Sequence, residues 1–230
     1  MTNELLLVIS VLVVYGGTIL FYKLHGLNGL YCWTIFATIS ANIEVLILMN
    51  AFGMEQTLGN VMFASSFLVT DIVSEIFGKE KANKAVNLGI MASFMFIIVS
   101  QLWLQFTPSP NDWAMESITT IFSNTPRLML VSFLVYAVCQ RLDVWLYHKW
   151  WQLTDNKFND HKKYLWLRNN GSTLISQLLN TILFNVGAFG GMYDGKTLLS
   201  IIGAGYVIYI VTSLVDTPFV YWARKIKVKE

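Results

Sequence analysis

Seven stretches of roughly 20 mostly apolar residues take up most of this chain, and each is long enough for a helix to cross the hydrocarbon of a bilayer. They lie near 4–22, 29–51, 61–77, 85–106, 127–147, 170–190 and 198–222. Charged residues gather in the breaks between them. Only 13% of the residues are Asp, Glu, Lys or Arg, against about 25% in soluble domains. The apolar share is 55% and the mean hydropathy is +0.53. These values exclude a soluble enzyme, a disordered tail and a nucleic-acid binder. A net charge of +2 is also too small for a phosphate-binding surface. The expectation is an all-α integral membrane bundle of about seven transmembrane helices, forming one polytopic domain over 1–230.

The first stretch also has the look of a secretory signal. No basic side chain precedes it, however, and Lys23, Leu24 and His25 follow where a small-residue cleavage site would stand. It is read as a retained helix. Cys32 and Cys139 form no CxxC pair, so neither a disulfide framework nor a zinc site is expected.

Basic residues alternate between the two sets of connections. One set holds Lys23, Lys79, Lys81, Lys84, Lys149, Lys157, Lys162, Lys163, Arg168, Arg224, Lys225, Lys227 and Lys229. The other holds Lys196, with Arg127 at a helix start. The positive-inside rule then puts the N-terminus outside and the C-terminus in the cytoplasm of a multi-pass cell-membrane protein. Within 107–126, the start signal Thr107-Pro108-Ser109-Pro110-Asn111-Asp112 precedes an alternation at helical spacing from Trp113 to Phe122. That pattern predicts a short amphipathic surface helix or an ordered loop.

Polar residues inside the spans carry the functional signal, because a carboxylate at the bilayer centre costs about 2.5–3.5 kcal/mol on insertion scales. Asp71 lies about 10 Å from the cytoplasmic end of its helix at 1.5 Å per residue. Glu75 sits one turn below it. Five helices carry polar stripes at helical spacing. These are Thr34, Thr38 and Asn42; Ser66, Thr70, Asp71, Ser74 and Glu75; Tyr136, Gln140, Asp143 and Tyr147; Thr173, Gln177 and Asn180; and Tyr209, Thr212, Ser213 and Asp216. Facing one axis, they would enclose a polar cavity. Structural alternatives exist for several. Asp143 has Arg141 and Lys149 as ion-pair candidates, Asp216 has Arg224, and Gln177 and Asn180 can act as interhelical glue. Glu44 gates, binds or reaches the outer interface. Small residues such as Gly16, Gly17, Ala37, Ala41, Gly187, Gly191, Gly203 and Gly205 suit close helix packing.

No GxxxxGK[ST], HExxH or GxSxG string occurs. His25, His148 and His161 fall at the cytoplasmic edge. No catalytic, metal or cofactor set stands out, so a small-molecule transporter is expected rather than an embedded enzyme or a channel.

Four strings in order make the reading more specific: FLVTDIVSEIFG at 67–78 followed by Lys79, Glu80, Lys81 and Ala82; QRLDV at 140–144; WLRNNGST at 166–173 with Gln177 and Asn180; and LVDTP at 214–218. Together they resemble the queuosine precursor transporter family, also called the vitamin uptake transporter family, over about 28–230. The resemblance implies a 7-deazaguanine cargo used to modify tRNA: the cyano or aminomethyl precursor of queuosine, or queuine. It implies substrate contacts from Asn42, Asp71, Gln140, Asp143, Ser172, Thr173, Gln177 and Asn180, although relatives lead one to expect an acid where Asn180 stands. Glu44, Asp71, Glu75 and Asp216 are the candidates for proton coupling or gating. The first helix looks additional to a six-helix core resembling the substrate-binding subunits of energy-coupling-factor importers. Ala37 and Ala41 even match the AxxxA signature of those subunits. The resemblance nevertheless favours a stand-alone carrier, with neither cofactor nor nucleic acid as partner.

A guanine-like edge offers a ring N–H and an exocyclic amine to one carboxylate, and charge-assisted pairs of this kind are about twice as strong as neutral ones. Asn and Gln serve both donors and acceptors. Trp33, Tyr136, Phe184 and Tyr209 are the aromatic candidates for stacking on the ring.

Overall fold

The computed structural model describes residues 2–123, 126–158 and 163–227. His161, Lys162 and Lys229 lie outside the described residues. The chain folds as a helical membrane bundle. Its elements are α1 (Asn3–Glu44), β1 (Leu48–Ala51), β2 (Met54–Thr57), α2 (Gly59–Phe77), α3 (Lys79–Trp103), α4 (Met115–Ser123), α5 (Pro126–Phe158), α6 (Leu165–Phe189) and α7 (Gly195–Ala223).

Among the described residues, six helices are long and apolar enough to cross a membrane. One of them, α1, has 42 residues, about 63 Å at 1.5 Å each, or twice the hydrocarbon thickness. It breaks at Gly26, whose φ of 57° and ψ of −138° suit glycine and strain other residues. Three residues on, a side chain at Gly29 would strike the Phe21 carbonyl. The two glycines let the chain double back as two legs, 3–25 and 27–44, so the seven expected crossings are present as six helices with one folded in two.

Several boundaries differ from the sequence reading. The second crossing ends at Glu44, not near 51, and 48–57 form an antiparallel β-hairpin pairing Leu48 with Thr57 and Ala51 with Met54. Its two loop residues, Phe52 and Gly53, both have positive φ, as tight two-residue hairpin turns require. Helix α3 starts at Lys79, α5 runs on to Phe158 and α6 starts at Leu165. Apolar periodicity marks only the part of a helix in the hydrocarbon, and these polar turns extend beyond it.

Helices α1, α3, α5, α6 and α7 pack each on the next and close a ring. Inside it, α2 packs against α1, α3, α5 and α7. Most of α2 is buried, from Gly59 to Ser74, which its small residues Ala64, Ser65 and Ser66 permit. By contrast, Leu5, Leu12, Val13, Met91, Leu134 and Leu199 are exposed large apolar side chains on the outside, the surface a bilayer would solvate. The first leg docks inward through Tyr15, whose hydroxyl donates to the Thr212 carbonyl at 3.3 Å and whose ring meets Phe219 edge-on.

The chain ends define two faces of the bundle. At one, the hairpin sits beside the N-terminus: Asn3 Nδ2 donates to the Asn50 carbonyl and the Phe52 N–H to Glu4 Oε1. The expected short helix is α4 at this end, its N-terminal amides of Ala114 and Met115 held by Asp112. Phe122 of α4 tucks against Phe96 and Trp103. Asp194 caps α7, and the Thr197 hydroxyl and the 196 and 197 amides bonded to it hold its carboxyl below the usual range. The other face is the basic end, with Gly26, Gly78 and the C-terminal ends of α5 and α7.

Candidate substrate pathway and family

A column of buried polar side chains runs along α2 from the basic end toward the hairpin. Few backbone contacts join α2 to α6, so side chains span the gap between them. Asp71 is fully buried, and its Oδ2 accepts from Thr173 Oγ1 at 3.0 Å. On α5, Asp143 is equally buried and accepts from Ser176 Oγ at 2.9 Å. Thr173 and Ser176 are neighbours on one face of α6, so one helix serves both acids. Gln140 Nε2 donates to Ser66 Oγ at 2.6 Å while its Oε1 accepts from Thr70. Asn42 Nδ2 donates to Ser93 Oγ at 3.0 Å and to the Thr38 carbonyl. Gln177 is buried one turn beyond Thr173 on α6, and Asn180 marks the hairpin end of the column.

Seven buried side-chain oxygens on and beside this column have no hydrogen-bond partner among the described residues: Asn42 Oδ1, Asp71 Oδ1, Ser74 Oγ, Tyr136 Oη, Asp143 Oδ2, Asn169 Oδ1 and Gln177 Oε1. Five are carboxylate or amide oxygens, which accept; the two hydroxyls also donate. Buried polar groups are rarely left unpaired, so the column is shorter of donors than of acceptors.

The ionic alternatives are not what forms. Asp143 pairs with neither Arg141, which bonds Asn87, nor Lys149, which lies over the Trp145 ring. Asp216 accepts from Asn169 Nδ2 at 2.6 Å, and Arg224 turns to Glu75 instead. Glu75 is the hub of a charge cluster at the basic end. Both its oxygens accept from Arg168 Nη2 at 3.0 and 2.9 Å, Tyr147 donates at 2.6 Å, and Arg224 lies at 3.4 Å. That cluster ties α2, α5, α6 and α7 together. Glu44 stands apart, half-buried at the last turn of α1.

Of the aromatic candidates, Trp33 belongs to the packing, not the pathway. It donates to Ser65 and meets Phe21 and Phe36. Gly17 fits under its ring, and Gly187 fits against Val131, whereas Gly16 and Gly203 have open space about them. Tyr136, Phe184 and Tyr209 line cavities beside the column. Spacing alone does not reveal Ser93, Ser176 or the pairing of Arg168 with Glu75; in the sequence Arg168 reads as a loop charge and as part of the WLRNNGST string. Its spacing to Ser172 and Ser176, i, i+4 and i+8, was the available sign that the α6 stripe starts one turn earlier.

Gly89 is a close approach that sequence did not reveal: an added Cβ would collide with the Tyr136 hydroxyl. Gly89→Ala is expected to lower stability by about 1–3 kcal/mol, as overpacking does. Adding Tyr136→Phe, which removes the nearest colliding atom and leaves ring carbons at 2.8 and 3.0 Å, is expected to restore part of that loss in thermal unfolding of the purified protein. Equal stability of the single and double variants would refute this contact.

Comparison with known proteins adds a family to this geometry. The sequence profile of a family described as "Putative vitamin uptake transporter" matches residues 57–223, from the end of the hairpin through α7. A Bacillus subtilis (strain 168) protein named "Probable queuosine precursor transporter" is 38% identical over 207 residues, 90% of this chain and 88% of that one. A Haemophilus influenzae protein of the same name is 28% identical over 151 residues, 66% of this chain and 59% of its own length. No solved structure matches. The matched stretch contains Asp71, Gln140, Asp143, Thr173 and Gln177, the heart of the polar column. On the extent of these matches, the chain belongs to the vitamin uptake transporter family.

Proposed function

We propose that this protein imports 7-deazaguanine precursors of queuosine across the cell membrane, as a single membrane domain with its hairpin end outside and its C-terminus in the cytoplasm. The carrying observation is the set of unpaired acceptor oxygens on Asp71, Asp143, Asn42 and Gln177. A guanine-like edge brings the missing N–H donors, two of them at the spacing of one carboxylate. Asn42, Asp71, Gln140, Asp143, Thr173, Gln177 and Asn180 form the binding site in this reading, and a base lacking those donors is rejected because the site's own groups go unpaired. Asp71 either grips the base or carries a coupling proton, with Glu75 and Asp216 nearer the basic end and Glu44 at the hairpin end. The names of the two relatives support the cargo.

The chain works as a carrier, not as an enzyme and not as the binding subunit of an ATP-driven importer. The AxxxA pair supports this: Ala37 and Ala41 are buried, line cavities inside the bundle and leave no surface for a coupling subunit there. The test uses a bacterial strain that neither makes nor imports queuosine precursors. Expression of this protein with a low concentration of 7-cyano-7-deazaguanine is expected to restore queuosine in tRNA. Correct membrane insertion without restoration by any 7-deazaguanine would overturn the cargo.

A further inference from the structure

The cavities of the bundle form a series. One of about 340 Å3 lies under the hairpin between α6 and α7. A second of about 40 Å3 shares Thr57, Asn60, Asn180, Phe184 and Tyr209 with it. A third of about 10 Å3 shares Ala41, Phe63 and Ser132 with the second and reaches Asn42 and Ser66. Small-molecule sites run to roughly 300–1,000 Å3, and one water needs about 10–15 Å3. Only the outermost of the three accommodates a bicyclic base in this conformation. Phe63 stands at the passage inward, its ring 6.0 Å from Tyr136 and 6.2 Å from Tyr209.

One residue of that outer cavity has no structural occupation. Gln56 of β2 is 5% exposed and lines the cavity, yet neither its Nε2 nor its Oε1 has a hydrogen-bond partner among the described residues. Two other amide side chains of the lining are partly engaged. Asn60 accepts from Thr57 and Tyr209, and Asn185 donates to the Thr181 carbonyl. A primary amide sealed from water with donor and acceptor both free costs stability unless something pairs with it. The group it matches is another amide edge: an N–H beside a C=O, met by two antiparallel hydrogen bonds. A lactam ring offers that edge, and Phe184 and Tyr209 supply aromatic faces within the same cavity.

We infer that the cavity under the hairpin is a capture site, distinct from the polar column, at which the Gln56 amide pairs with the lactam edge of an incoming flat heterocycle. This rests on the cargo reading above and adds a first stop on its route. The base docks on Gln56, and Asn180, which lines both the outer cavity and the next one, lies on its way to the column. Capture outside then rests on Gln56 and grip inside on Asp71, with Asn180 between them.

The test is the concentration dependence of 7-cyano-7-deazaguanine uptake in cells expressing the full chain. Gln56→Leu is expected to raise the half-saturating concentration about tenfold or more, for a lost buried pair of hydrogen bonds. The maximal rate is expected to stay within about twofold, because the column is untouched. Gln56→Met, which keeps the length of the side chain but removes both donor and acceptor, is expected to shift it the same way, and covers failure of the Leu variant to fold. Wild-type half-saturation in both variants, or a fall confined to the maximal rate, overturns the capture site and leaves the cargo standing. Absence of uptake by the wild type removes both.

Discussion

Asp71→Asn is expected to cut uptake of 7-cyano-7-deazaguanine by roughly 10–100-fold at equal amounts of inserted protein, the loss that removing a hydrogen bond to a charged group brings. Asn keeps the volume and still offers Thr173 an acceptor oxygen in place of Oδ2. It replaces the free Oδ1 with an amine or with a neutral acceptor, so a bidentate pair with two N–H donors is no longer made. The packing around 71 is undisturbed, and Phe67, Leu68, Ile72 and Val73 remain fully buried about it. Initial uptake rates, normalised to protein recovered from membranes, check this. A wild-type rate would remove Asp71 from the mechanism, whether as grip or as proton carrier.

Arg168→Ala is expected to damage the fold itself. Its guanidinium is completely buried, bonds both oxygens of Glu75 and the Lys163 carbonyl, and lies 4.4 Å from the centre of the Trp151 ring. Removing one partner of a buried ion pair costs about 3–5 kcal/mol, because the charge left behind is uncompensated. For a chain of this size that is a fall of roughly 10 °C in the unfolding midpoint. Arg224, at 3.4 Å from Glu75 and partly exposed, offsets only part of the loss. The double variant Arg168→Met with Glu75→Gln is expected to be more stable than Arg168→Ala, since no charge stays buried alone. Thermal unfolding in detergent, followed by size-exclusion chromatography, reads both. A double variant less stable than the single would show that the cluster acts through packing and not through charge. Arg168→Lys is not conservative here: a single ammonium cannot hold Glu75 and the Lys163 carbonyl at once, as Nη2 and Nη1 do.

Much of this architecture is legible in the chain because hydrocarbon imposes a length on each crossing. Spans with polar stripes are visible from spacing, and Asp71, Gln140, Asp143, Thr173 and Gln177 do meet in one buried column. What escaped detection shares a physical origin. The stretch Leu48 to Ala51 reads as continued helix because apolar count does not distinguish a buried helix end from a strand; the Gly53 turn was the local sign. The break at Gly26 leaves the hydropathy of α1 unchanged and is a backbone event of one residue. Arg168 and Glu75 are 93 positions apart, and nothing local ties them until α2 and α6 are set side by side. Gln56 belongs to the same class. Its unpaired amide is a property of the cavity that surrounds it, and appears only once hairpin, α6 and α7 are assembled.

The most direct measurement reconstitutes the purified chain alone into liposomes, adds 7-cyano-7-deazaguanine outside and follows the amount trapped inside with time. The account predicts saturable entry through the wild type, with Asp71→Asn at least about tenfold slower and empty liposomes slower still. Binding of the base by wild-type liposomes without entry would contradict it, because the chain would then be a receptor that needs a separate energy-coupling partner.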